Sequence, residues 1–472
     1  MSAAIFNDAL VESLFPDPSF AASNGIAAPA PSPGITPEST ATLRKLLSED
    51  HKNFHGFHNH LSHHLLAAYA LGSPAHVLQG IYDNHSSYQR PAYQSPESIN
   101  RDNWTKHLGD EDFYNAYMNF FSAEIKEHGL GGTLEKYVFS HEANWANDQP
   151  RMLDRFIAGV FHPIIHFGYA AEFGIDGMAV EGLAQAAVHH CNYEDVFDAT
   201  FFTEPAAVKE ASRDRVHSFT LLSRILADDR LKPGAPRKEG PERRFGEVAK
   251  NSGGILRDYA SLWTVSEDEK DIKDRVEELH WLVTLLFGVG GWENGRRFRA
   301  DFFFAHLVTS NIFLSSITSL LKPKYQIDLL RAYMTASLVW FVTQGRPALD
   351  IQGFFQSVTA NPEPSSDSNS STTNESEGNP WYTILMHSVL HPDEHLVKAQ
   401  RALAHSAALH GMRPKGSFAH TELKGAENID GTLFIRSAGL LMEQLRWNYD
   451  VTQRVEGIDL GNGWDRAGLS RD

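Results

Sequence analysis

Residues 54–74 read F-H-G-F-H-N-H-L-S-H-H-L-L-A-A-Y-A-L-G-S-P. Leu61, Leu65, Leu66, Tyr69 and Leu71 recur at helical spacing, and Gly72 with Pro74 closes the run. The stretch therefore predicts a helix over about residues 57–71. Working outward, the same period governs the chain on both sides. Leu43, Leu46 and Leu47 form an i, i+3, i+4 face before it. After it come His76–Tyr82, Asp112–His128 (ended by Gly129), Met152–Phe173, Val180–His190, Glu204–Asp228 and Lys270–Phe287, then Phe302–Leu321, Gln326–Gln344, Trp381–Leu390, His395–His410 and Thr432–Trp447. Strand-type alternation is almost absent. The expected fold class is all-α: one large multi-helix domain over residues 41–472, its division into two halves left open. Residues 1–15 can form a short helix, but the Pro- and Ala-rich stretch to residue 40 predicts an extended arm or linker. Residues 361–379 (N-P-E-P-S-S-D-S-N-S-S-T-T-N-E-S-E-G-N) predict a disordered acidic loop.

Composition narrows the partners. With 42 Lys and Arg against 59 Asp and Glu, the net charge of −17 repels phosphate backbones and anionic lipid. The single cysteine, Cys191, excludes an internal disulfide and thiolate clusters. The N-terminus lacks a basic signal-type region, and the most apolar stretches are interrupted before membrane-spanning length. A soluble cytoplasmic protein is the expectation, with no nucleic-acid or membrane partner.

The opening stretch is also unusual in side chains. With His51 it carries His55, His58, His60, His63 and His64, six of the chain's 24 histidines. His60 and His64 stand four apart, the spacing by which a helix offers two imidazoles to one ion, and His63 is a close substitute. A solvated polar face is the alternative, and His51 and His55, before the helix, are expected to be solvated. His162 and His166 are again four apart, and His306 lies in the apolar run F-F-F-A-H-L-V. Singly, each reads as a core histidine bonded to a carbonyl; with the first cluster they become candidate ligands. In H-P-D-E-H-L-V-K-A-Q-R-A-L, His391 and His395 are four apart and Lys398 follows. Asp393 and Glu394 suit the helix dipole. Lys398 is a solvated charge, an ion-pair partner or, if desolvated, a neutral or CO2-modified side chain able to act as base or oxygen ligand. The runs Gly129–Gly132 and Gly288–Gly291 lack the third glycine and the βαβ context of a dinucleotide site, and no phosphate-binding loop or nucleophile elbow is present.

Taken together, H-N-H-L-S-H-H-L-L-A-A-Y-A-L-G-S, H-P-I-I-H-F-G-Y-A-A-E-F, H-L-V-T-S, G-R-P (345–347) and D-E-H-L-V-K-A-Q-R-A-L resemble the questin oxidase-like proteins of fungal polyketide clusters, from about Thr40 onward. The resemblance implies an oxygenase that oxidatively cleaves an anthraquinone ring, a Baeyer-Villiger-type outcome in secondary metabolism, with O2 and NADPH as co-reactants. Joined to the histidines, it suggests non-haem iron (Fe2+) held by His60, His64, His166, His306 and Lys398 or His395. His395, Lys398 and Thr309 are the expected catalytic groups. Thr309 and Ser310 offer hydroxyls for an oxygen species or carbonyl, with helix back-bonding as the plainer account. Tyr169, Phe303 and Trp381 are candidate walls for a flat polyaromatic substrate, though core packing explains them equally well. Competing readings are a metal-free NADPH-dependent Baeyer-Villiger-type oxidase and a non-catalytic polyketide-binding protein. A metal-dependent phosphohydrolase is disfavoured because aspartates adjacent to the histidines are scarce.

Overall fold

Helices begin where the sequence supplies caps. Thr36 Oγ1 accepts from the Ser39 N–H at 3.1 Å while Ser39 Oγ accepts from the Thr36 N–H at 2.9 Å, a capping box ahead of the Pro37–Asn53 helix. Asp268, Asp301 and Asp393 are side-chain N-caps of Glu269–Gly291, Phe302–Asn311 and Glu394–His410. The computed structural model describes residues 8–146, 148–198, 201, 215–232, 240–364, 378–452 and 463–469. Among them the only β pairings are two isolated bridges, Phe54 with Pro91 and Asp301 with Asp465, so the fold is all-α. No described helix is long and apolar enough to cross a membrane.

The chain forms two compact units: residues 1–204 with 313–329 and 451–453, and residues 205–312 with 330–450 and 454–472. In the first, His162–Phe173 and Asp176–Val188 pack closely around the left-handed Gly174, and a Cβ on Gly182 would stand 2.8 Å from the Phe167 nitrogen. Leu61–Ala70 and Ala75–Ser86 bury their apolar faces beside Pro37–Asn53. In the second, Glu269–Gly291, Phe302–Asn311, Glu394–His410 and Leu433–Leu445 make the core, with Gly288 against Ser437.

Several expectations change. The helix expected from residue 57 begins at Leu61. His58 takes a left-handed φ of 58°, tolerated by histidine better than by branched residues, and Asn59 Oδ1 accepts the Leu61 N–H at 2.9 Å. Met152–Phe173 divides into Met152–Ile157 and His162–Phe173, because Gly159, Val160 and Phe161 all have positive φ (57°, 54° and 65°). Pro241–Ser261 is an additional helix, with only Phe245, Ala249, Leu256 and Ala260 as its spaced apolar seam. The N-terminal arm is not free of the core. Asp8–Leu14 is helical, Phe15, Ala21 and Ala28 are buried, and the Ser19 N–H donates to Phe173 O at 2.7 Å. Of the acidic insertion, residues 365–377 lie outside the described residues, as do residues 204–214 of the expected Glu204–Asp228 helix.

Asp301 links this framework to pH. Its Oδ1 accepts from the Phe303 and Phe304 N–H groups at 2.9 and 2.8 Å, yet burial pushes its carboxyl up to about 7. A carboxyl with a folded pKa above its ordinary value, about 4, binds its proton more tightly in the native state. Stability therefore falls as pH rises from about 4 to about 7 and is flat above. Asp301→Asn keeps the cap and removes the titration. Chemical denaturation is expected to show a shallower decline over that window, with the variant the more stable protein at pH 8.

Candidate functional site

The first unit gathers most of the histidines of the opening stretch. The His60 Nε2 lies 2.6 Å from His162 Nε2, His63 Nε2 lies 2.6 Å from His166 Nδ1, and His64 Nδ1 lies 3.0 Å from His85 Nε2. Two helices explain the first two pairs: His60 and His63 at the start of Leu61–Ala70 face His162 and His166 on the first turns of His162–Phe173. His162 Nδ1 also meets Gly159 O. A carbonyl only accepts, so Nδ1 carries the proton and Nε2 presents a lone pair to His60. His58 stacks on His162 with ring centroids 4.6 Å apart, and its ring centroid lies 4.9 Å from that of His189. Burial holds the His189 imidazolium pKa well below its ordinary value, with the His58 and His190 charges adding to the effect.

The left-handed run 159–161 aims this arrangement. Gly159 has φ 57°, and a Cβ there would fall 2.1 Å from the His189 ring. Gly159→Ala is expected to lose about 2 kcal/mol or more, from left-handed strain together with the displaced imidazole. Urea denaturation measures the loss.

Behind the rings lies a carboxylate layer. His51 Nδ1 is 2.6 Å from Glu181 Oε1, whose Oε2 is 3.7 Å from His166 Nε2. Asn59 Nδ2 donates to Asp50 Oδ1 at 2.7 Å, and burial followed by the Glu181 charge raises the Asp50 pKa well above the carboxylate range. His51 and His55, expected in solvent, are buried. His51 lies on the inner face of Pro37–Asn53, while His55 sits 4.8 Å from both Tyr93 and Tyr114 and bonds Glu111 at 3.0 Å.

Among the expected ligands, then, His60, His64 and His166 lie in this unit but in three different pairs. Their partners His162, His63 and His85 complete the cluster. Of these, His85 went unnoticed in the sequence. Its signal is periodicity: Leu78, Ile81 and His85 share the buried face of Ala75–Ser86. Tyr169 lies beside the cluster with its hydroxyl donating to His63 O at 3.1 Å and its ring 4.7 Å from Phe313.

The second unit holds His306, His395 and Lys398. His306 Nδ1 donates to Phe302 O at 2.7 Å, so its Nε2 carries a lone pair, and its ring stands 5.0 Å from His395. Phe302 and Trp464 pack against His395, and the Arg466 guanidinium covers Phe302 at 3.4 Å. Burial, followed by the Lys398 charge, pushes His395 down to about 4. Burial pushes Lys398 down to about 8, and its Nζ has no hydrogen-bond partner among the described residues. His391 has a framework role: Nδ1 accepts the Asp393 N–H at 3.0 Å and Nε2 donates to Leu445 O at 3.2 Å. Thr309 Oγ1 and Ser310 Oγ both donate to His306 O, at 3.3 and 2.7 Å, the back-bonding account. Phe303 stacks on Trp340 at 4.6 Å, whereas Trp381 is half-buried at the start of Pro380–Val389.

The chain is similar to known proteins. The chain is 30% identical over 335 residues to the Baeyer-Villiger oxidase mdpL of Emericella nidulans, covering 67% of this chain and 73% of the relative. It is 28% identical over 338 residues to the Baeyer-Villiger monooxygenase dmxR6 of Cryptosporiopsis sp., covering 67% and 72%. It is 24% identical over 439 residues to the questin oxidase of Aspergillus terreus, covering 89% and 91%. These relatives are oxidoreductases, and so is this protein. Residues 57–403 match the questin oxidase-like family, to which the chain belongs.

Proposed function

We propose that this oxidoreductase is an oxygenase that cleaves the ring of an anthraquinone-type aromatic polyketide with O2, using imidazole-bound non-haem iron. The names of the relatives support oxidation of the Baeyer-Villiger type, and the anthraquinone class follows from the family likeness. The observation that carries the metal is the pair His60–His162. Metal-binding imidazoles are commonly fixed by a carbonyl behind the ring, and Gly159 O stands in that position for His162. The donor chemistry fits: His60 and His162 would hold the ion through Nε2. Iron with open positions supplies O2 activation for attack on an electron-rich hydroquinone.

The chain's own groups do the rest. Lys398, with its pKa near 8, is an amine that can take a phenolic proton at Nζ or react with CO2 to present a carboxylate. NADPH serves as the reductant that brings the quinone to its hydroquinone form or the metal to Fe2+. The test uses protein purified without a histidine tag. Iron content and ring cleavage are measured for wild type and for alanine variants of His60 and His162. Stoichiometric iron, lost with activity in the ligand variants, is expected; full ring-cleaving activity in iron-free protein overturns the proposal.

A further inference from the structure

The third histidine pair of the first unit continues outward. His64 Nδ1 is 3.0 Å from His85 Nε2, and His85 Nδ1 is 2.5 Å from the Tyr88 hydroxyl. His64 and His85 are wholly buried, whereas Tyr88 is 61% exposed. One continuous line of hydrogen-bonding atoms thus runs from solvent, through two rings, to the helix that carries His60 and His63.

We propose that Tyr88, His85 and His64 are a proton relay serving the oxidase reaction. The line has a consistent direction. The Tyr88 O–H donates to His85 Nδ1, His85 Nε2–H donates to His64 Nδ1, and His64 keeps its proton on Nε2. His85 accepts at one nitrogen and donates at the other, and His64 accepts at Nδ1. In one inward transfer, a solvent proton binds the Tyr88 oxygen as its own proton moves to His85 Nδ1. The His85 Nε2 proton moves to His64 Nδ1, and the His64 Nε2 proton passes to a basic oxygen formed as O2 is reduced. Each group forms one bond to hydrogen and breaks one, and neither imidazole need carry a net charge. The rings then stand in the opposite tautomers, and a reverse transfer or ring turn resets them. Reduction of O2 takes up protons, and a buried site must draw them from bulk water through such a path. This use of the relay rests on the oxygenase reading; the relay geometry does not.

The experiment separates the two. In full-length protein with 15N-labelled histidine, long-range 1H–15N spectra are expected to show His64 and His85 unprotonated at Nδ1. Exchange of the His64 Nε2 proton with water is expected to slow at least tenfold in Tyr88→Phe and in His85→Gln, with unchanged circular dichroism. In turnover, the same variants are expected to lower kcat about tenfold at constant KM and to raise the solvent deuterium isotope effect, and imidazole in the buffer should restore His85→Ala. A proton on His85 Nδ1, or wild-type exchange rates in both variants, overturns the relay. Slowed exchange in a protein that consumes no O2 with anthrahydroquinones leaves the conduit standing and overturns the oxygenase reading instead.

Discussion

His162→Ala is expected to release the proposed iron and abolish the proposed ring cleavage. Loss of a partner behind a metal ligand already costs roughly 10–100-fold in affinity, so loss of the ligand itself should exceed about 100-fold. His162 is buried, its Nδ1 is committed to Gly159 O and its Nε2 to His60 at 2.6 Å, so no neighbouring nitrogen can take over without turning its ring. The informative comparison is His391→Ala. Both nitrogens of His391 are used by the backbone, at Asp393 N and Leu445 O. That variant is expected to lose stability by about 1–3 kcal/mol, the cost of the buried groups it leaves unmatched, and to retain iron. Metal analysis beside thermal denaturation distinguishes the two histidines. Equal iron content in His162→Ala and wild type would remove His162 from the site.

Lys398→Met should move stability and activity in opposite directions. The ammonium is fully buried, and burial alone lowers its pKa from 10.5 to about 8 against the pull of Glu394 and Asp393. The native state therefore binds this proton less tightly than the unfolded chain does. At neutral pH the penalty is on the order of 3 kcal/mol, and it fades as pH rises from about 8 toward 10 because only the unfolded state is then still protonated. Methionine has a similar length and no charge to bury. The variant is expected to be more stable than wild type by about 1–3 kcal/mol at pH 7, to lose the rise in stability between pH 8 and 10, and to lose turnover. A destabilised Lys398→Met protein would mean that the amine has a favourable partner in the fold. Such a stabilising, inactivating substitution is the mark of a residue retained for chemistry.

Helical periodicity is a local property, and it places Leu61–Ala70, Glu269–Gly291 and Glu394–His410 within a few residues of where they lie. It fails where one residue's backbone departs from the pattern. His58 at φ 58° and the run Gly159–Phe161 have side chains that a helix would accept, and only the packing around them selects the left-handed form. The weakly apolar Pro241–Ser261 escapes for the opposite reason, since its seam is too sparse to stand out. Among the histidines, the sequence marks segments but not partners. His60 and His162 are 102 residues apart, and His63 and His166 are 103 apart. Which imidazole meets which depends on the angle between two helices. The i, i+4 spacing suggested that His60 and His64 work together. Because His60 is the helix cap and His64 lies within the first turn, they turn to different neighbours, His162 and His85. The sequence left Lys398 open between a solvated charge, an ion-pair partner and a desolvated amine, because its missing partner is a property of the tertiary structure.

The N-terminal segment bears on how this protein is handled at the bench. The family match begins at residue 57, an inviting place to trim an expression clone. Phe15, however, packs edge-on against the His51 ring at 5.2 Å and fills the space beside Gly177, while Phe20 covers Phe173 at 5.0 Å. A clone cut at the family boundary would delete His51 itself and open the Glu181 carboxylate to water. Even a cut at residue 36 would strip the ring from above His51, leaving a sticky apolar wound that favours inclusion bodies. The tag belongs at the other terminus, or ahead of an intact first helix.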